Sequence, residues 1–309
     1  MGRTKEIKGR GQKGPGRAAP AARRMPRWML AVAAVVLVGI GLLLALPAPS
    51  ADASSWSRDR GSIGTFLEGQ TDLGNLTESR ITYPSLGGTA RAVLWLPNRT
   101  NATALTPAVV HMTGRTVDAE GARNLARFLG SLGVATLSVE KRGGDAEITP
   151  EKARTWIWDL LRGFDHLRAP LPGSLRAALD PEAIAVSGDS IGANAALVAA
   201  GAEPRFKGVL AFSGFPDSRL GPDLDPSSAV ARISGRPVAF FHSREDSIVP
   251  VEQGRALFDR AREPKFFYVF NGTCHGHCPD MFPNIEEQVQ RMFWLAGSPP
   301  SSRMNFSAS

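Results

Sequence analysis

The sequence has almost no net charge beyond its first 27 residues. Those residues carry nine basic side chains against one acid, Glu6. Because the whole chain of 309 residues carries +7, the other 282 residues carry about −1. Proteins that bind nucleic acid present a basic patch to the phosphates. The near-neutral remainder therefore excludes a nucleic-acid partner.

Cysteine is almost absent, because the chain contains only Cys274 and Cys278, which flank His275 and His277. In an exported domain the oxidising compartment favours a disulfide between them, which would stiffen the histidine turn. Cys and His are also zinc ligands. Four ligands within five residues can hardly converge on one tetrahedral ion, so no metal and no cofactor are predicted. Two reduced thiols are the third alternative.

Charged residues are also missing from Trp28 to Leu46. As a helix these residues would extend over about 28 Å, enough to cross the hydrocarbon core of a bilayer. The preceding residues 1–27 are basic and lack apolar periodicity, which predicts a disordered tail on the cytoplasmic side. We therefore expect residues 28–46 to be a membrane anchor, with everything after Pro47 outside the cytoplasm.

The sequence after residue 46 contains a possible cleavage site and indicates the domain boundaries. Ala51-Asp52-Ala53 resembles a signal-peptidase site, so secretion after cleavage near Ala53 is the alternative to an uncleaved anchor. The apolar run is longer than that of a usual signal peptide, which favours the anchor. Composition then predicts a linker over 47–75, one folded domain over 76–297 and a flexible tail over 298–309.

One stretch of this domain combines a short apolar strand, an abrupt turn and a small-residue helix, from Glu182 to Ala200. The turn, Gly188-Asp189-Ser190-Ile191-Gly192, fits the Gly-x-Ser-x-Gly nucleophile elbow. A serine hydroxyl is a poor nucleophile at neutral pH, so it must be lifted toward a base and toward donors for an oxyanion. Taken alone, a glycine-rich turn that merely closes a parallel sheet is an equal alternative.

The rest of the domain alternates strands with helices. Strands are predicted at 81–83, 90–96, 107–111, 134–139, 183–186, 208–212, 237–241 and 266–270, and helices within 122–132, 150–167, 191–200, 251–261 and 285–293. This alternation is typical of a mainly parallel, doubly wound α/β sheet flanked by helices. Ligands of such sheets bind at the carboxyl ends of the strands.

An acid and a histidine follow two later strands, in the order that a serine nucleophile on such a sheet requires. The strand at 237–241 leads into a segment that contains Asp246, and the strand at 266–270 leads into one that contains His275. Ser190, Asp246 and His275 are therefore the predicted catalytic residues.

Three segments resemble the α/β-hydrolase superfamily, especially its dienelactone-hydrolase and prolyl-oligopeptidase-like esterase branches. They are Asp246-Ser247-Ile248-Val249-Pro250, Gly272-Thr273-Cys274-His275-Gly276 and Val139-Glu140-Lys141-Arg142-Gly143-Gly144, the last with Glu in place of the family's Asp. The resemblance covers about residues 80 to 297. It implies the α/β-hydrolase fold and hydrolysis through a Ser-Asp-His triad.

The resemblance also implies an oxyanion hole. The family places His-Gly-x-Gly after its third strand, where this chain has His111-Met112-Thr113-Gly114. By that alignment the backbone amides of Thr113 and Ile191 are the donors. Met112 stands where the family has glycine, and its Cβ could tilt the loop.

Each assignment has a rival. Glu245 and Asp217 compete with Asp246, and His277 competes with His275, which the Gly-x-x-His-Gly match favours. His111 is predicted to support the loop at its strand end. His166 lies on a charged helix face and is given no role.

These residues predict a carboxylesterase-like serine hydrolase. Gly214 to Arg236 leaves no room for a large lid, which indicates small or extended soluble esters. Peptidase or acyltransferase chemistry uses the same triad, and a non-catalytic binding domain is the alternative from another class. The Gly-Asp-Ser-Leu motif of SGNH hydrolases is similar to the elbow, but the chain contains no Asp-x-x-His, so that family is rejected.

Overall fold

The computed structural model describes residues 56, 64–98, 105–144, 146–169, 179–217 and 219–293. The predicted tail 1–27, membrane segment 28–46 and C-terminal tail 298–309 lie outside the described residues. Within the described ranges, no helix is both long and apolar enough to cross a membrane.

The described residues form nine strands and six α-helices. The strands are β1 (Phe66–Asp72), β2 (Leu76–Ser85), β3 (Gly88–Pro97), β4 (Thr106–Met112), β5 (Ala135–Val139), β6 (Leu179–Asp189), β7 (Val209–Phe212), β8 (Val238–Ser243) and β9 (Lys265–Phe270). The helices are α1 (Arg123–Ser131), α2 (Pro150–Arg168), α3 (Ile191–Ala202), α4 (Pro226–Val230), α5 (Val251–Arg260) and α6 (Phe282–Phe293). Short 3-10 turns, Ala119–Ala122 and Pro279–Met281, precede α1 and α6.

All nine strands belong to one sheet with the order β1-β2-β3-β5-β4-β6-β7-β8-β9. The pairs β1/β2, β2/β3 and β3/β5 are antiparallel. Every pair from β5 through β4 to β9 is parallel. The predicted mainly parallel sheet is thus confirmed. Its parallel part brings the carboxyl ends of β4, β6, β7, β8 and β9 to one edge.

Helices cover both faces of the sheet because neighbouring side chains of each strand point to opposite sides. On β4, Val110 packs into the cluster that α2 and α3 cover, whereas Val109 packs into the cluster of α1 and α6. Phe240 and Phe241 of β8 divide in the same way. This double burial explains why the central strands are apolar runs without polar alternation.

Helix α2 begins where the sequence predicted. Pro150 opens it, and the Thr149 hydroxyl oxygen accepts a hydrogen bond from the Lys152 amide at 3.3 Å. Its buried side includes Trp156, which is 1% exposed.

The domain extends further toward the N-terminus than predicted. Strand β1 lies within residues 47–75, which the sequence assigned to a linker, and it pairs along β2. Trp56, from the same segment, is buried and packs against Trp158, with the ring centroids 5.7 Å apart and the ring planes tilted by 45°. The predicted linker was therefore wrong for these parts. β1 is an edge strand, and its mostly exposed, polar side chains give no hydrophobic signal.

His166 also differs from its prediction, because it is fully buried rather than exposed on a charged face. Its ring stacks on Tyr83, and its Nδ1 lies 2.8 Å from the Thr65 hydroxyl. Burial lowers the pKa of His166 to about 4. This histidine therefore joins α2 to the first antiparallel strands.

Candidate active site

Ser190 lies at the sharp turn between β6, which ends at Asp189, and α3, which begins at Ile191. Its backbone adopts φ 53° and ψ −118°, a sparsely populated region for any residue other than glycine. The Ser190 amide donates to the Phe212 carbonyl at 2.7 Å, which holds the turn against β7. A Cβ on Gly188 would collide with the backbone of Gly192, so strand and helix meet here at a distance that only glycine permits.

A direct hydrogen bond joins Asp246 and His275. Asp246 follows the end of β8, and its Oδ2 lies 2.8 Å from His275 Nδ1, which donates the hydrogen bond. The other carboxylate oxygen, Oδ1, accepts from the amides of Ile248 at 2.9 Å and Val249 at 3.0 Å. Burial raises the pKa of Asp246, but these hydrogen bonds outweigh it and hold the pKa below its usual value. The acid is therefore a fixed carboxylate that orients one ring nitrogen of His275.

Two neighbours of Asp246 were missed by sequence reasoning. His242 is buried, donates from Nε2 to the Val249 carbonyl at 2.8 Å, and lies 3.6 Å from Asp246 Oδ2. Ser213 is buried with a φ of 50°, and its hydroxyl oxygen accepts from the Gly276 amide at 3.1 Å. Their positions at the ends of β8 and β7 are the signal that could have identified them, since both strands end at the predicted site.

The loop after β4 is firmly held beside Ser190. The Thr113 hydroxyl donates to the Val117 carbonyl at 2.7 Å, and Lys141 Nζ donates to the Thr113 hydroxyl at 3.1 Å. A Cβ built on Gly114 would lie 3.5 Å from the Ser190 Cβ. The loop that carries one predicted oxyanion donor therefore lies next to the predicted nucleophile.

Met112 points its side chain into the core rather than toward solvent. It is the last residue of β4, pairs with Gly188 of β6, and its side chain is completely buried in the core. A Cβ on Gly192 would collide with the Met112 and Thr113 carbonyl oxygens, so the start of α3 packs directly on this backbone. Thr113 and Ile191 therefore lie on two segments that meet next to Ser190.

A second cluster, of one carboxylate and two imidazole rings, lies next to the elbow. Asp189 Oδ2 lies 2.8 Å from His277 Nδ1, and Asp189 Oδ1 accepts from the His277 amide at 3.1 Å. His111 places its Nε2 3.4 Å from Asp189 Oδ2, while its Nδ1 lies 2.8 Å from the Ser187 hydroxyl. The sequence motif gave Asp189 no role, because it occupies the unspecified position before the serine.

Burial and the contacts among Asp189, His277 and His111 shift the pKa values of all three residues. Burial would raise the pKa of Asp189, but His277 and His111 together lower it well below its usual range. Burial lowers the pKa of His277, yet the Asp189 charge and hydrogen bond outweigh this effect and raise it. For His111 burial dominates and lowers the pKa. Asp189 and His277 thus favour each other's charged form, whereas burial favours the neutral form of His111.

His111, Asp189 and His277 are also the described residues that could hold a metal, since one ligand atom from each lies within 4.8 Å of the others. Two ligands of a tetrahedral zinc ion, each about 2.0–2.1 Å from it, are about 3.4 Å apart. The Asp189–His277 distance of 2.8 Å is shorter and is that of a hydrogen bond. The geometry therefore fits a hydrogen-bonded group better than a metal site.

The predicted catalytic residues lie at one edge of the sheet, but they are not all hydrogen-bonded to one another. Asp246 and His275 share a hydrogen bond, whereas no hydrogen bond between Ser190 and His275 is present in the described part of the chain. The rivals have other partners. Asp217 pairs with Arg219 at 2.8 Å, and His277 pairs with Asp189.

The predicted disulfide between Cys274 and Cys278 is present. It closes a short loop that holds both His275 and His277 after the end of β9. We call Cys274–Cys278 the histidine loop. Of the three alternatives for the cysteines, the metal and the free thiols are thereby set aside.

No protein-family model and no curated protein matches the chain. Its structure is similar to many solved structures. An acetyl xylan esterase from Paenibacillus sp. R4 has a TM-score of 0.61 and 16% identity, over 77% of this chain and 92% of that one. A glucuronoyl esterase from Solibacter usitatus has a TM-score of 0.58 and 12% identity, over 76% and 87% of the two chains.

A third similar structure is an α/β-hydrolase from Penicillium sp. sh18, with a TM-score of 0.56 and 17% identity. The match covers 70% of this chain and 99% of that one. These matches span nearly the whole of each solved structure. The sheet order and the elbow between β6 and α3 agree with the fold that the sequence motifs predict. The chain therefore has the fold of the α/β-hydrolase superfamily.

Proposed function

We propose that this domain is a serine esterase in which Ser190, His275 and Asp246 form the catalytic triad. The observation that carries the proposal is the hydrogen bond between Asp246 and His275 Nδ1 at the sheet edge where the strained elbow presents Ser190. The orienting acid fixes the histidine so that its other nitrogen, Nε2, is free to take a proton.

The reaction then proceeds through an acyl-enzyme. Ser190 Oγ attacks the ester carbonyl while His275 Nε2 accepts its proton, and the Asp246 carboxylate stabilises the resulting imidazolium. The amides of Thr113 and Ile191 donate to the oxyanion, an interaction worth about 3 kcal/mol for each donor. His275 next protonates the leaving alcohol. Water, deprotonated by the same histidine, releases the acyl group.

The region above the elbow supports small or extended ester substrates. Between β7 and β8 the described residues contain only the five-residue helix α4, which is too short to form a lid. Two of the similar structures are esterases by name, an acetyl xylan esterase and a glucuronoyl esterase. Esters on soluble, extended molecules are therefore the substrate class that we propose.

We also propose that the domain acts outside the cytoplasm, held at the membrane by residues 28–46 or released by cleavage near Ala53. The basic residues before Trp28 support this orientation by the positive-inside rule. The disulfide of the histidine loop supports an oxidising compartment.

The test is hydrolysis of p-nitrophenyl acetate, with p-nitroacetanilide as the matched amide, by the full chain in mild detergent. We expect turnover of the ester far above that of the amide. Ser190→Ala and His275→Ala should each reduce kcat by at least about 10³-fold without loss of the folded state. Undiminished ester turnover by a folded Ser190→Ala variant would overturn the proposal, and preferred cleavage of the amide would indicate a peptidase.

A further inference from the structure

The histidine loop contacts two different carboxylates. His275 binds Asp246 through Nδ1 at 2.8 Å, and two residues later His277 binds Asp189 through Nδ1, also at 2.8 Å. Asp189 is covalently joined to Ser190, so this second bond connects the loop that carries the proposed base to the residue before the proposed nucleophile.

The contact with Asp189 restrains both the position and the rotation of the loop. The Asp189 carboxylate accepts from His277 twice, from the backbone amide at 3.1 Å and from Nδ1 at 2.8 Å. Gly276, with a φ of 86°, lies so close that a Cβ there would be 3.4 Å from the Asp189 Cβ. Two hydrogen bonds to the two oxygens of one carboxylate leave little freedom to slide or turn.

The surroundings keep the pair in place. His277 meets the ring of His111 edge-on at a centroid distance of 5.8 Å and that of Phe212 at 6.0 Å. His111 faces the same Asp189 oxygen, and Lys141 is the further charged group near it. A buried carboxylate that loses its partner is left uncompensated, so loss of the contact between Asp189 and His277 is unfavourable.

We infer that Asp189 and His277 are positioning residues that clamp the histidine loop onto the nucleophile elbow and so set the approach of His275 to Ser190. This inference rests on the proposed function. A displacement of about 1 Å in such a pair of reacting groups costs about 100-fold in rate. The disulfide restrains the loop internally, whereas the Asp189–His277 bonds restrain it relative to Ser190.

The experiment compares ester hydrolysis by the full chain with that of four variants. His277→Phe keeps the ring but removes the Nδ1 donor, and His277→Asn restores an N–H donor near the Nδ1 position. Asp189→Asn keeps the volume and removes the charge. His166→Phe is the matched control, because it replaces another buried histidine whose Nδ1 bonds a hydroxyl away from the site. Thermal unfolding identifies the variants that fold.

We expect His277→Phe to lower kcat about 100-fold with KM changed less than about threefold, the split typical of a lost reaction geometry. His277→Asn should recover at least about tenfold of that loss, since it restores the hydrogen bond. His166→Phe should leave kcat unchanged. If His277→Phe does not fold, Asp189→Asn carries the test, with an expected loss in kcat of at least about tenfold.

Three outcomes would overturn the inference. In the first, the wild type is active and folded His277→Phe, or Asp189→Asn in its place, has the wild-type kcat. In the second, His277→Asn is no more active than His277→Phe. In the third, the purified protein contains one zinc ion per chain that His277→Phe loses, so that a metal rather than a hydrogen bond joins the residues. A wild type without esterase activity would instead contradict the proposed function itself.

Discussion

At the scale of single residues, glycines fix the geometry of the elbow. Ser190 adopts its positive φ between Gly188 and Gly192, and both glycines lie against backbone rather than against flexible side chains. Backbone cannot move aside as the end of a side chain can, so these two positions exclude a Cβ. The Gly-x-Ser-x-Gly motif contains both glycines, and the neighbouring backbone atoms show why a Cβ does not fit there.

Gly192→Ala tests that cause. Alanine gains about 1 kcal/mol of helix propensity over glycine. Its Cβ would collide with the Met112 and Thr113 carbonyl oxygens, and overpacking of this kind costs about 1–3 kcal/mol. We expect a lower unfolding temperature and, because the loop that carries Thr113 must shift, a kcat reduced about 100-fold.

Gly69→Ala is the control for this substitution, since no atom lies within 4 Å of a Cβ at that position. Its unfolding free energy should change by less than about 0.5 kcal/mol. Wild-type kcat and stability in Gly192→Ala would contradict the account of the elbow.

At the scale of elements, buried histidines join segments that are far apart in the sequence. His166 of α2 binds Thr65 and stacks on Tyr83 of β2, and its Nε2 has no hydrogen-bond partner among the described residues. Burial therefore favours the neutral ring and lowers the pKa of His166 to about 4. The unfolded chain returns this pKa to about 6.5.

This shift predicts how stability depends on pH. The folded state binds fewer protons than the unfolded state between these two values, so acid favours unfolding. The contribution of His166 is present in full above about pH 6.5 and is lost as the pH falls toward about 4, a change of about 3 kcal/mol. Urea unfolding of the wild type and of His166→Phe, at pH 7, 5 and 4, measures it.

We expect the wild type to lose about 3 kcal/mol more than His166→Phe between pH 7 and pH 4. Parallel losses in the two proteins would show that His166 does not titrate on unfolding. Ester hydrolysis at pH 7 should be equal in both, which separates this structural histidine from those of the site.

At the scale of the whole molecule, the sequence predicted the parallel half of the sheet better than its antiparallel edge. The strands β4 to β8 contain apolar runs that are buried on both faces. The predicted site residues follow strand ends at one edge of the sheet. The edge strand β1 is polar and exposed, and Phe66, its first residue, is 68% exposed. This strand forms only because it pairs with β2. The sequence of a polar segment does not indicate which strand it will pair with.

The same limit applies to the site. Asp246 and His275 were predictable because each follows a strand and matches a family motif. The bond between Asp189 and His277 joins residues 88 positions apart, and only the folded chain brings them together. The burial of Trp56 depends in the same way on a tertiary contact, its packing against Trp158.

A truncated form that begins at Leu76 tests where the domain starts. It lacks β1, which would leave the β2 edge open to pairing with other chains, and it lacks the buried Trp56. Loss of a buried tryptophan side chain alone costs about 3–5 kcal/mol. We expect this form to be less stable by at least about 3 kcal/mol, or to aggregate, compared with a form that begins at Ala51.

Equal stability of the two forms, measured by urea unfolding, would instead support the domain boundary that the sequence predicted. The residues between Ala51 and Leu76 would then contribute nothing to the folding of the hydrolase domain.

The proposed catalytic triad is tested most directly by covalent labelling of the full chain with a fluorophosphonate, followed by mass spectrometry of the modified peptide. Such probes react with a serine that a neighbouring base activates. We expect one label per chain, on Ser190, and none on Ser190→Ala or His275→Ala. A folded wild type that takes up no label, or a label on another serine, would contradict the proposed triad.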